Sequence, residues 1–298
     1  MKDETTAVLV SGVNGVLGQP LADYFSEKGY QVFRVVRTLP EKPSDTDIHW
    51  DLDAGQSPRL PLVDTYIHCA PIWTLPDNIG HLSAAGVRRI VAFSSSSAIS
   101  KAASRDPGER MLAERLIRSE ADTVKRCREG QIHLTVFRPT LIYGFGRDQN
   151  ICRIARIISR YHVGVLAGAG AGLRQPVHTL DLAWAALAVV DNPGSFDKTY
   201  ILAGGETLSY REMMTRIIIA TGRSPRVISV PVWMLRGLMR AASMFGDFDY
   251  TAEMAGRMNT DLNFDYGMAE ADFGYSPAGF LEQPMRDLPA ETLAGRGN

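Results

Sequence analysis

The sequence of 298 residues lacks several features that mark specialised classes of protein. Its three cysteines, Cys69, Cys127 and Cys152, are too few and too scattered for a disulfide framework or a spaced metal site. No apolar run reaches the ~18 uncharged residues that a membrane helix needs, and the first residues do not resemble a secretory signal. Charge is balanced, with 32 Lys and Arg against 33 Asp and Glu. We therefore expect a soluble cytoplasmic protein without a metal, a nucleic-acid partner or membrane attachment.

What the sequence does contain is a hydrophobic content of 45%, arranged in short apolar runs that alternate with helical patterns. The runs are continuous rather than alternating, which is typical of strands buried on both faces of a sheet. They predict strands over 7–11, 31–36, 48–50, 65–69, 89–94, 134–138 and 200–202. Helices are predicted over 16–28 and 107–129, each followed by a glycine. The expected fold class is α/β, a doubly wound parallel sheet.

The sequence pattern changes after residue 138, and two loop-rich stretches then flank one helical pattern over 151–161. Further helices are predicted over 210–221 and 231–245. We expect a sheet domain over 1–143 and 174–204, and a smaller mixed α/β domain over 144–173 and 205–298, both of them discontinuous. The apolar face of the segment 231–245 either belongs to the core of the small domain, lines a substrate pocket, meets a partner or rests on a membrane surface.

A glycine-rich turn connects the first strand to the first helix, with Gly12, Gly15 and Gly18 spaced G-x-x-G-x-x-G. The first glycine permits a tight turn, the second lets a pyrophosphate approach the backbone, and the third lets the helix pack closely on the strand. The helix N-terminus then faces the anion. This pattern predicts a dinucleotide site; the alternative is a glycine-rich turn without a ligand. The predicted cofactor contacts in the turn are Gly12, Asn14, Gly15, Val16, Leu17 and Gly18.

The end of the second strand lacks the carboxylate with which NAD-selective enzymes hold the ribose hydroxyls. The sequence there is R-V-V-R-T over residues 34–38. The planar guanidinium of Arg37 suits a 2′-phosphate, which favours NADP over NAD as the cofactor. The alternative interpretation is an ordinary surface arginine after a strand.

Further motifs follow in order along nearly the whole chain. They are H-W-D-L at 49–52, I-H-C-A at 67–70, F-S-S-S-S at 93–97, F-R-P-T-L-I-Y-G-F-G at 137–146, R-Q-P-V-H-T-L-D-L-A at 174–183 and Y-I-L-A-G-G at 200–205. With the glycine turn, this set resembles the extended short-chain dehydrogenase/reductase family of NAD(P)-dependent epimerases, dehydratases and reductases. The resemblance implies a Rossmann-like first domain that holds the cofactor and a smaller domain that binds the substrate, commonly a nucleotide sugar.

The resemblance also implies the remaining binding residues. Those at the cofactor are Asp51, Leu52, Cys69, Ala70, Arg138 and Pro139. Arg174 corresponds to an arginine that holds the substrate diphosphate, a task that suits a guanidinium because it offers parallel donors. The alternative for Arg174 is a loop arginine that caps carbonyl groups. Members of the family commonly form homodimers through two helices, so a homodimer is expected here as well.

The catalytic Tyr-x-x-x-Lys pair of the family is replaced in this chain. The tyrosine position falls on Asp106 and the lysine position on Arg110. The serine hydroxyl of the family is expected at Ser96 or, as a second choice, at Ser95. Ser96 is also expected to contact the substrate. A carboxylate beside an arginine stays ionised and is a poor acid near neutral pH. The sequence D-P-G-E at 106–109 is also typical of the start of a helix, with Asp106 as the N-cap residue.

Other tyrosines are candidates for proton transfer: Tyr143, whose position in the family motif is usually one of packing, and Tyr66 or Tyr161, which belong to no motif. His178 and Asp181 are expected to be structural, Asp181 as a helix cap. The function predicted is an epimerase-like oxidoreductase that acts on a nucleotide sugar by hydride transfer, with a non-standard proton-transfer site. The alternatives are a non-catalytic NAD(P)-binding sensor or scaffold, and a reductase of a non-sugar carbonyl compound.

Overall fold

The computed structural model describes residues 6–235, 237 and 252–293. In it the chain divides into two compact units: the first comprises 1–142, 179–202 and 265–276, and the second 143–178, 203–264 and 277–298. These units differ from the predicted boundaries at residues 143, 174–178 and 203–204, which lie in the second unit, and at residues 265–276, which lie in the first. Residues 174–178 belong to the second unit, where the Gln175 side chain accepts a hydrogen bond from the Phe264 amide (2.7 Å). Residues 265–276 return to the first unit, because the buried Tyr275 packs against Trp184.

The first unit is built on a Rossmann-like, seven-stranded sheet in which every pair of neighbours is parallel. In chain order the strands of the molecule are β1 (Ala7–Ser11), β2 (Gln31–Val36), β3 (Asp47–His49), β4 (Thr65–His68), β5 (Arg89–Phe93), β6 (His133–Pro139), β7 (Ile142–Tyr143), β8 (Gly164–Ala167), β9 (Leu173–Arg174), β10 (Val177–His178), β11 (Lys198–Leu202), β12 (Leu208–Ser209) and β13 (Val227–Val230). The order in the sheet is β11-β6-β5-β4-β1-β2-β3. It reverses between β1 and β4, and such a switch point opens a crevice at the carboxyl ends of the strands.

The central strands are buried on both faces, which explains their continuous apolar sequences. Val8, Leu9 and Val10 of β1 have no exposed surface, and neither do Ile90 and Val91 of β5. All seven predicted strands are present in this sheet, with small differences at their ends. Two of them, β1 and β2, have the predicted bounds, whereas β3 begins one residue earlier than expected and pairs Asp47 with Arg34.

Helices cover this sheet and complete the second unit. They are α1 (Gly18–Glu27), α2 (Ile79–Ala84), α3 (Ser97–Ser100), α4 (Pro107–Glu129), α5 (Ile151–Tyr161), α6 (Thr179–Val190), α7 (Tyr210–Ala220), α8 (Ala252–Arg257), α9 (Gly267–Phe273) and α10 (Pro284–Asp287). In the first unit α1 packs against α6, and α2 packs against α4. No helix in the described part of the chain is long and apolar enough to span a bilayer.

The second unit contains a parallel pair, β8 with β13, and an antiparallel pair, β9 with β12. A capping box starts α7, in which Ser209 and Glu212 exchange hydrogen bonds between side chain and backbone. The helix predicted over 231–245 lies largely outside the described residues. Within the described part, the Trp233 side chain is 75% exposed.

Candidate functional site

The glycine turn forms one wall of a cavity of about 400 Å³ in the first unit. The other walls come from the residues that follow β2, β3 and β4, so the cavity lies at the switch point of the sheet. Most of the predicted cofactor contacts line it, namely Gly12, Asn14, Gly15, Arg37, Asp51, Leu52, Cys69 and Ala70. Val16, Leu17, Gly18, Arg138 and Pro139 are not part of its lining.

The three glycines of the turn have different roles in the structure. Gly12 has a φ of +72°, and a Cβ there would lie 2.4 Å from the carbonyl carbon of Cys69. A Cβ at Gly18 would lie 2.3 Å from the Gly12 oxygen, whereas one at Gly15 would meet only that oxygen, at 3.1 Å. Gly12 and Gly18 are therefore required for the backbone to pack, and Gly15 keeps the cavity wall free of a side chain.

The start of α1 offers backbone donors beside this turn. Leu17 occupies the N-cap position and provides no side-chain acceptor, and the first turn of the helix contains no acidic residue. The first amide groups of the helix thus have no capping side chain, and the helix dipole makes this end partly positive. A pyrophosphate would satisfy both requirements.

Arg37 and Thr38 line the cavity at the end of β2. The His49 ring donates a hydrogen bond from Nε2 to the Arg37 carbonyl oxygen (2.9 Å), which fixes the backbone at this point. The Arg37 side chain is exposed and forms no ion pair with any described residue. On the adjacent wall, Asp51 accepts a hydrogen bond from the Asp53 amide (3.1 Å).

His68 supports the wall that β4 contributes. This side chain is fully buried, and its Nε2 donates to the Pro71 carbonyl oxygen (3.2 Å). Nδ1 is then the acceptor, and its one lone pair is within hydrogen-bond distance of the hydroxyl groups of Ser11 (3.1 Å) and Tyr66 (3.0 Å). Burial lowers the pKa of His68 to about 4, so the ring is neutral at physiological pH. The sequence motif contained this histidine, but nothing in the motif revealed its partners.

Asp106 and Arg110 have structural contacts at the start of α4. Asp106 is the N-cap residue, and its Oδ1 accepts a hydrogen bond from the Glu109 amide (2.8 Å). The Arg110 guanidinium donates to the carbonyl oxygens of Ser104 (2.8 Å) and Arg105 (3.1 Å). The capping interpretation of this segment is thus confirmed. Both side chains form hydrogen bonds with backbone groups at the start of α4.

The serine run after β5 contains two hydroxyl groups, those of Ser96 and Ser97, without a hydrogen-bond partner among the described residues. Ser94 donates to Glu120, which also binds the guanidinium of Arg138. Ser95 accepts a hydrogen bond from the Ser97 amide (3.1 Å). The Ser96 side chain has no such contact, although its amide donates to the Pro139 carbonyl (3.0 Å). Ser96 is buried, whereas Ser97 is half-buried.

Tyr143 and Arg174, both in the second unit, are engaged by backbone groups. The buried Tyr143 hydroxyl donates to the Gly279 carbonyl (3.3 Å) and accepts from the Leu281 amide (3.0 Å). Arg174 donates to the carbonyl oxygens of Leu173 (2.6 Å), Thr260 (2.8 Å) and Arg257 (2.5 Å). Burial lowers the pKa of Arg174 to about 10. These contacts match the packing role that the motif gives Tyr143 and the carbonyl-capping alternative for Arg174.

The two residues expected to be structural in the R-x-x-x-H-x-x-D segment have distinct positions. His178 lies 2.9 Å from the Asp287 carboxylate, and both side chains are buried in the second unit. Asp181 lies in the first turn of α6 rather than before it. Among the described residues, no group of three His, Cys, Asp or Glu side chains is arranged to hold a metal ion.

The sequence was compared with protein-family models and with curated proteins. No family model matches the sequence. A 2-alkyl-3-oxoalkanoate reductase from Stenotrophomonas maltophilia is 26% identical over 96% of this chain and 99% of its own length. A UDP-glucose 4-epimerase from Vibrio cholerae is 21% identical over 173 residues, and this match spans only 51% of the epimerase.

A solved structure gives the same fold. It is that of a short-chain dehydrogenase/reductase superfamily protein from Agrobacterium tumefaciens with bound NAD, which superimposes with a TM-score of 0.66. The match covers 97% of both chains at 13% identity, so it establishes the fold alone. The Rossmann-like fold predicted from the motifs is thus confirmed over nearly the whole chain, and the match to the reductase is in line with the resemblance that the motifs indicated.

Proposed function

We propose that this chain binds a nicotinamide dinucleotide, NADP in preference to NAD, in the cavity of its first unit and acts as an NAD(P)-dependent oxidoreductase. The observation that carries this proposal is the glycine turn, in which two glycines are needed for packing and the third leaves the cavity wall free. A glycine-rich turn without a ligand explains Gly12 and Gly18. It explains Gly15 less well, because a Cβ there would meet only the Gly12 oxygen, at 3.1 Å, and the residue lines the cavity.

The cavity has the donors that a dinucleotide requires. The uncapped amide groups of α1 suit the pyrophosphate, and the Arg37 side chain suits a 2′-phosphate. Ser96, which is not part of the cavity lining, is the hydroxyl that we propose for the oxygen of a substrate. When bound, the nicotinamide would supply the hydride acceptor or donor, and the residues of this chain would hold and orient it.

Two classes of substrate are supported by different observations. A nucleotide sugar is the substrate class named for the epimerase relative. Two observations favour a non-sugar ketone. The oxoalkanoate reductase matches over almost its whole length. In addition, Arg174 donates to backbone carbonyl groups with the N–H groups that would otherwise bind a diphosphate. Both classes share a carbonyl or alcohol carbon that exchanges hydride.

A second candidate function is cofactor binding without turnover, as in a redox sensor or scaffold. The contacts of Asp106 and Arg110 favour it, because the side chains at the positions of the catalytic pair hold the start of α4 instead. This candidate shares the cavity with the first and differs from it in predicting no conversion of either substrate class.

The glycine assignment is tested by calorimetric titration of NADP and NAD into the wild-type protein and the Gly15→Asp variant. We expect the variant to lose at least about 100-fold in affinity, since the new carboxylate would enter the pyrophosphate site and repel it. Gly80→Asp is the matched control, because a Cβ at Gly80 meets nothing within 4 Å and this position is outside the cavity. Equal affinity of the Gly15→Asp variant and wild type would contradict the assignment.

Turnover is tested next on the wild-type protein. The reduced cofactor band is followed while nucleotide sugars and 3-oxoacids are added, with product analysis for epimerisation, which leaves the band unchanged. Conversion of one class identifies the substrate. Tight cofactor binding with no conversion of either class would support the sensor or scaffold instead.

A further inference from the structure

The indole of Trp73 lies in the wall of the dinucleotide cavity, where no sequence motif placed an aromatic residue. Trp73 belongs to a short 3-10 turn, Ile72–Thr74, that follows β4 directly. Its side chain is half-buried and packs on the apolar core of the first unit. A flat aromatic surface is thus fixed beside the glycine turn.

Buried hydrogen bonds hold this turn in place. The Thr74 hydroxyl donates to the Pro71 carbonyl (2.9 Å). The Asn78 side chain, itself buried, donates from one nitrogen to the carbonyl oxygens of Thr74 (2.7 Å) and Leu52 (2.9 Å). Because Leu52 follows β3, Asn78 ties the Trp73 turn to the wall formed by the β3 end of the sheet.

A guanidinium covers part of the indole from the outside. The Arg115 side chain of α4 lies over the ring of Trp73, with 4.0 Å between the guanidinium carbon and the ring centroid. Arg115 is not part of the cavity lining. Trp73 therefore meets the cavity with its other face or its edge, and the cation–π contact restrains the orientation of the ring.

The position of Trp73 identifies the half of the dinucleotide that it faces. In doubly wound folds the residue after the second strand contacts the ribose of the adenosine half. Arg37 and Thr38 occupy that position here, and residues 51–53 of the adjacent strand end line the same cavity. Trp73 is tied to this side through Asn78 and Leu52, so the base nearest to it is the adenine.

We infer that Trp73, oriented by Arg115, is the surface on which the adenine base packs. This inference rests on the proposed function, since it concerns the same cavity. Stacking of a base on an aromatic side chain contributes a substantial part of binding free energy and needs no particular hydrogen bond. The site should then bind any ligand that contains adenosine diphosphate, and the nicotinamide half should be independent of Trp73.

The test compares calorimetric affinities for ADP-ribose, NADP and nicotinamide mononucleotide. We expect Trp73→Ala to weaken ADP-ribose and NADP by about tenfold each, in line with the loss of one stacked base. Affinity for nicotinamide mononucleotide should not change. Trp233→Ala is the matched control, because Trp233 is a tryptophan that is 75% exposed and lies outside the cavity.

Two further variants cover the case in which Trp73→Ala does not fold. Trp73→Phe keeps an aromatic ring and should bind ADP-ribose within about threefold of wild type, while the quenching of tryptophan emission by ADP-ribose decreases. Arg115→Gln should weaken ADP-ribose about threefold and Arg115→Lys should restore most of the loss, as expected for a positioning cation. Arg118→Gln, one turn further along α4, should have no effect.

The outcomes separate this inference from the proposed function. If the wild-type protein binds NADP and every Trp73 and Arg115 variant binds ADP-ribose equally well, the inference is wrong and the proposed function stands. If the wild-type protein binds neither NADP nor NAD, the proposed function fails as well. Equal weakening of ADP-ribose and nicotinamide mononucleotide by Trp73→Ala would also overturn the inference, since it would indicate a general distortion of the cavity.

Discussion

Arg37 is the side chain on which the choice between NADP and NAD should depend. It lines the cavity at the end of β2, and its guanidinium forms no ion pair with any described residue. A 2′-phosphate would gain charge-assisted hydrogen bonds there. Asp51 and Asp53 also line the cavity, so without Arg37 the local charge would be negative and unfavourable to a phosphate.

We expect Arg37→Gln to weaken NADP binding by at least about tenfold and to leave NAD binding unchanged within about twofold, because NAD has no 2′-phosphate. Calorimetry with both cofactors measures the ratio. Arg59→Gln provides a control at an arginine outside the cavity. A wild-type protein that binds NAD more tightly than NADP would show that the guanidinium does not select the cofactor.

His68 should make the stability of the first unit dependent on pH. Burial lowers its pKa to about 4, against about 6.5 in the unfolded chain. Between these values the unfolded state binds a proton that the folded state does not. The free energy of unfolding therefore falls as the pH decreases from 6.5 to 4.

From these pKa values, His68 should reduce the free energy of unfolding by about 2 kcal/mol between pH 7 and pH 5. Urea unfolding of the wild type and of His68→Gln at pH 7 and pH 5 measures this effect. The decrease in the free energy of unfolding between the two pH values should be about 2 kcal/mol smaller in His68→Gln than in the wild type. His162→Asn, at an exposed position, should retain the wild-type dependence. The same pH dependence in wild type and His68→Gln would contradict a neutral buried imidazole.

At the scale of secondary structure, the start of α4 is held by the two side chains that the sequence places at the positions of the family's catalytic pair. Asp106 satisfies the Glu109 amide, and the Ser104 hydroxyl accepts from the Asp106 amide (3.2 Å) and donates to the Glu109 carboxylate (2.7 Å). These bonds fix the first turn of a helix of 23 residues. Asp106→Tyr with Arg110→Lys would restore the family's catalytic pair but would also remove this cap.

We expect Asp106→Ala to lower the free energy of unfolding by about 1 kcal/mol. Asp106→Asn should keep most of the stability of the wild type, because asparagine is also a good N-cap. Chemical denaturation measures both. Cofactor affinity should be the same in the two variants. If Asp106→Ala abolished turnover on an identified substrate with no loss of stability, Asp106 would have a catalytic role after all.

Element boundaries could be predicted where local chemistry determines them. Asp106, Pro107 and Gly130 delimit α4, and the apolar residues of β1 and β2 match those strands residue by residue. The crossover after β4 could not be predicted in this way. Its 3-10 turns depend on hydrogen bonds from Asn78 to Leu52, which is 26 residues away in the sequence. For that reason the sequence alone does not place Trp73 at the cavity.

The same limit applies to the candidate site. The glycine turn and Arg37 were predicted because their chemistry is contained in a few adjacent residues. Apart from the adjacent Leu173, the backbone groups that bond to Tyr143 and Arg174 lie 83 to 138 residues further along the chain. No local pattern reveals such contacts, and without them a structural arginine has the same sequence signature as a substrate-binding one.

At the scale of the whole molecule, the first unit depends on residues near the end of the sequence. Tyr275 is almost fully buried there, in ring contacts with Trp184, Tyr266 and Phe273. In addition, the Tyr200 hydroxyl and the Lys198 ammonium of β11 both donate to Asp272 (2.6 and 2.7 Å). The segment 265–276 is thus part of the structure that supports β11 and α6.

We expect Tyr275→Ala to lower the free energy of unfolding by about 3 to 5 kcal/mol, the usual cost of removing a buried aromatic ring. Tyr275→Phe keeps the ring and should cost less than about 1.5 kcal/mol. Hydrogen exchange should increase in α6 and β11 of the alanine variant. If exchange increased only within 265–276, this segment would be an appendage of the first unit rather than part of its core.

The three separate stretches of the first unit affect its folding during synthesis. Strand β6 has no partner on one side until β11 has left the ribosome, and the aromatic cluster around Tyr275 forms only when residue 276 has emerged. At typical translation rates this interval lasts on the order of ten seconds. A nascent chain in that interval exposes an open sheet edge and apolar surface, and we expect it to be a substrate for chaperones before it can bind any nucleotide.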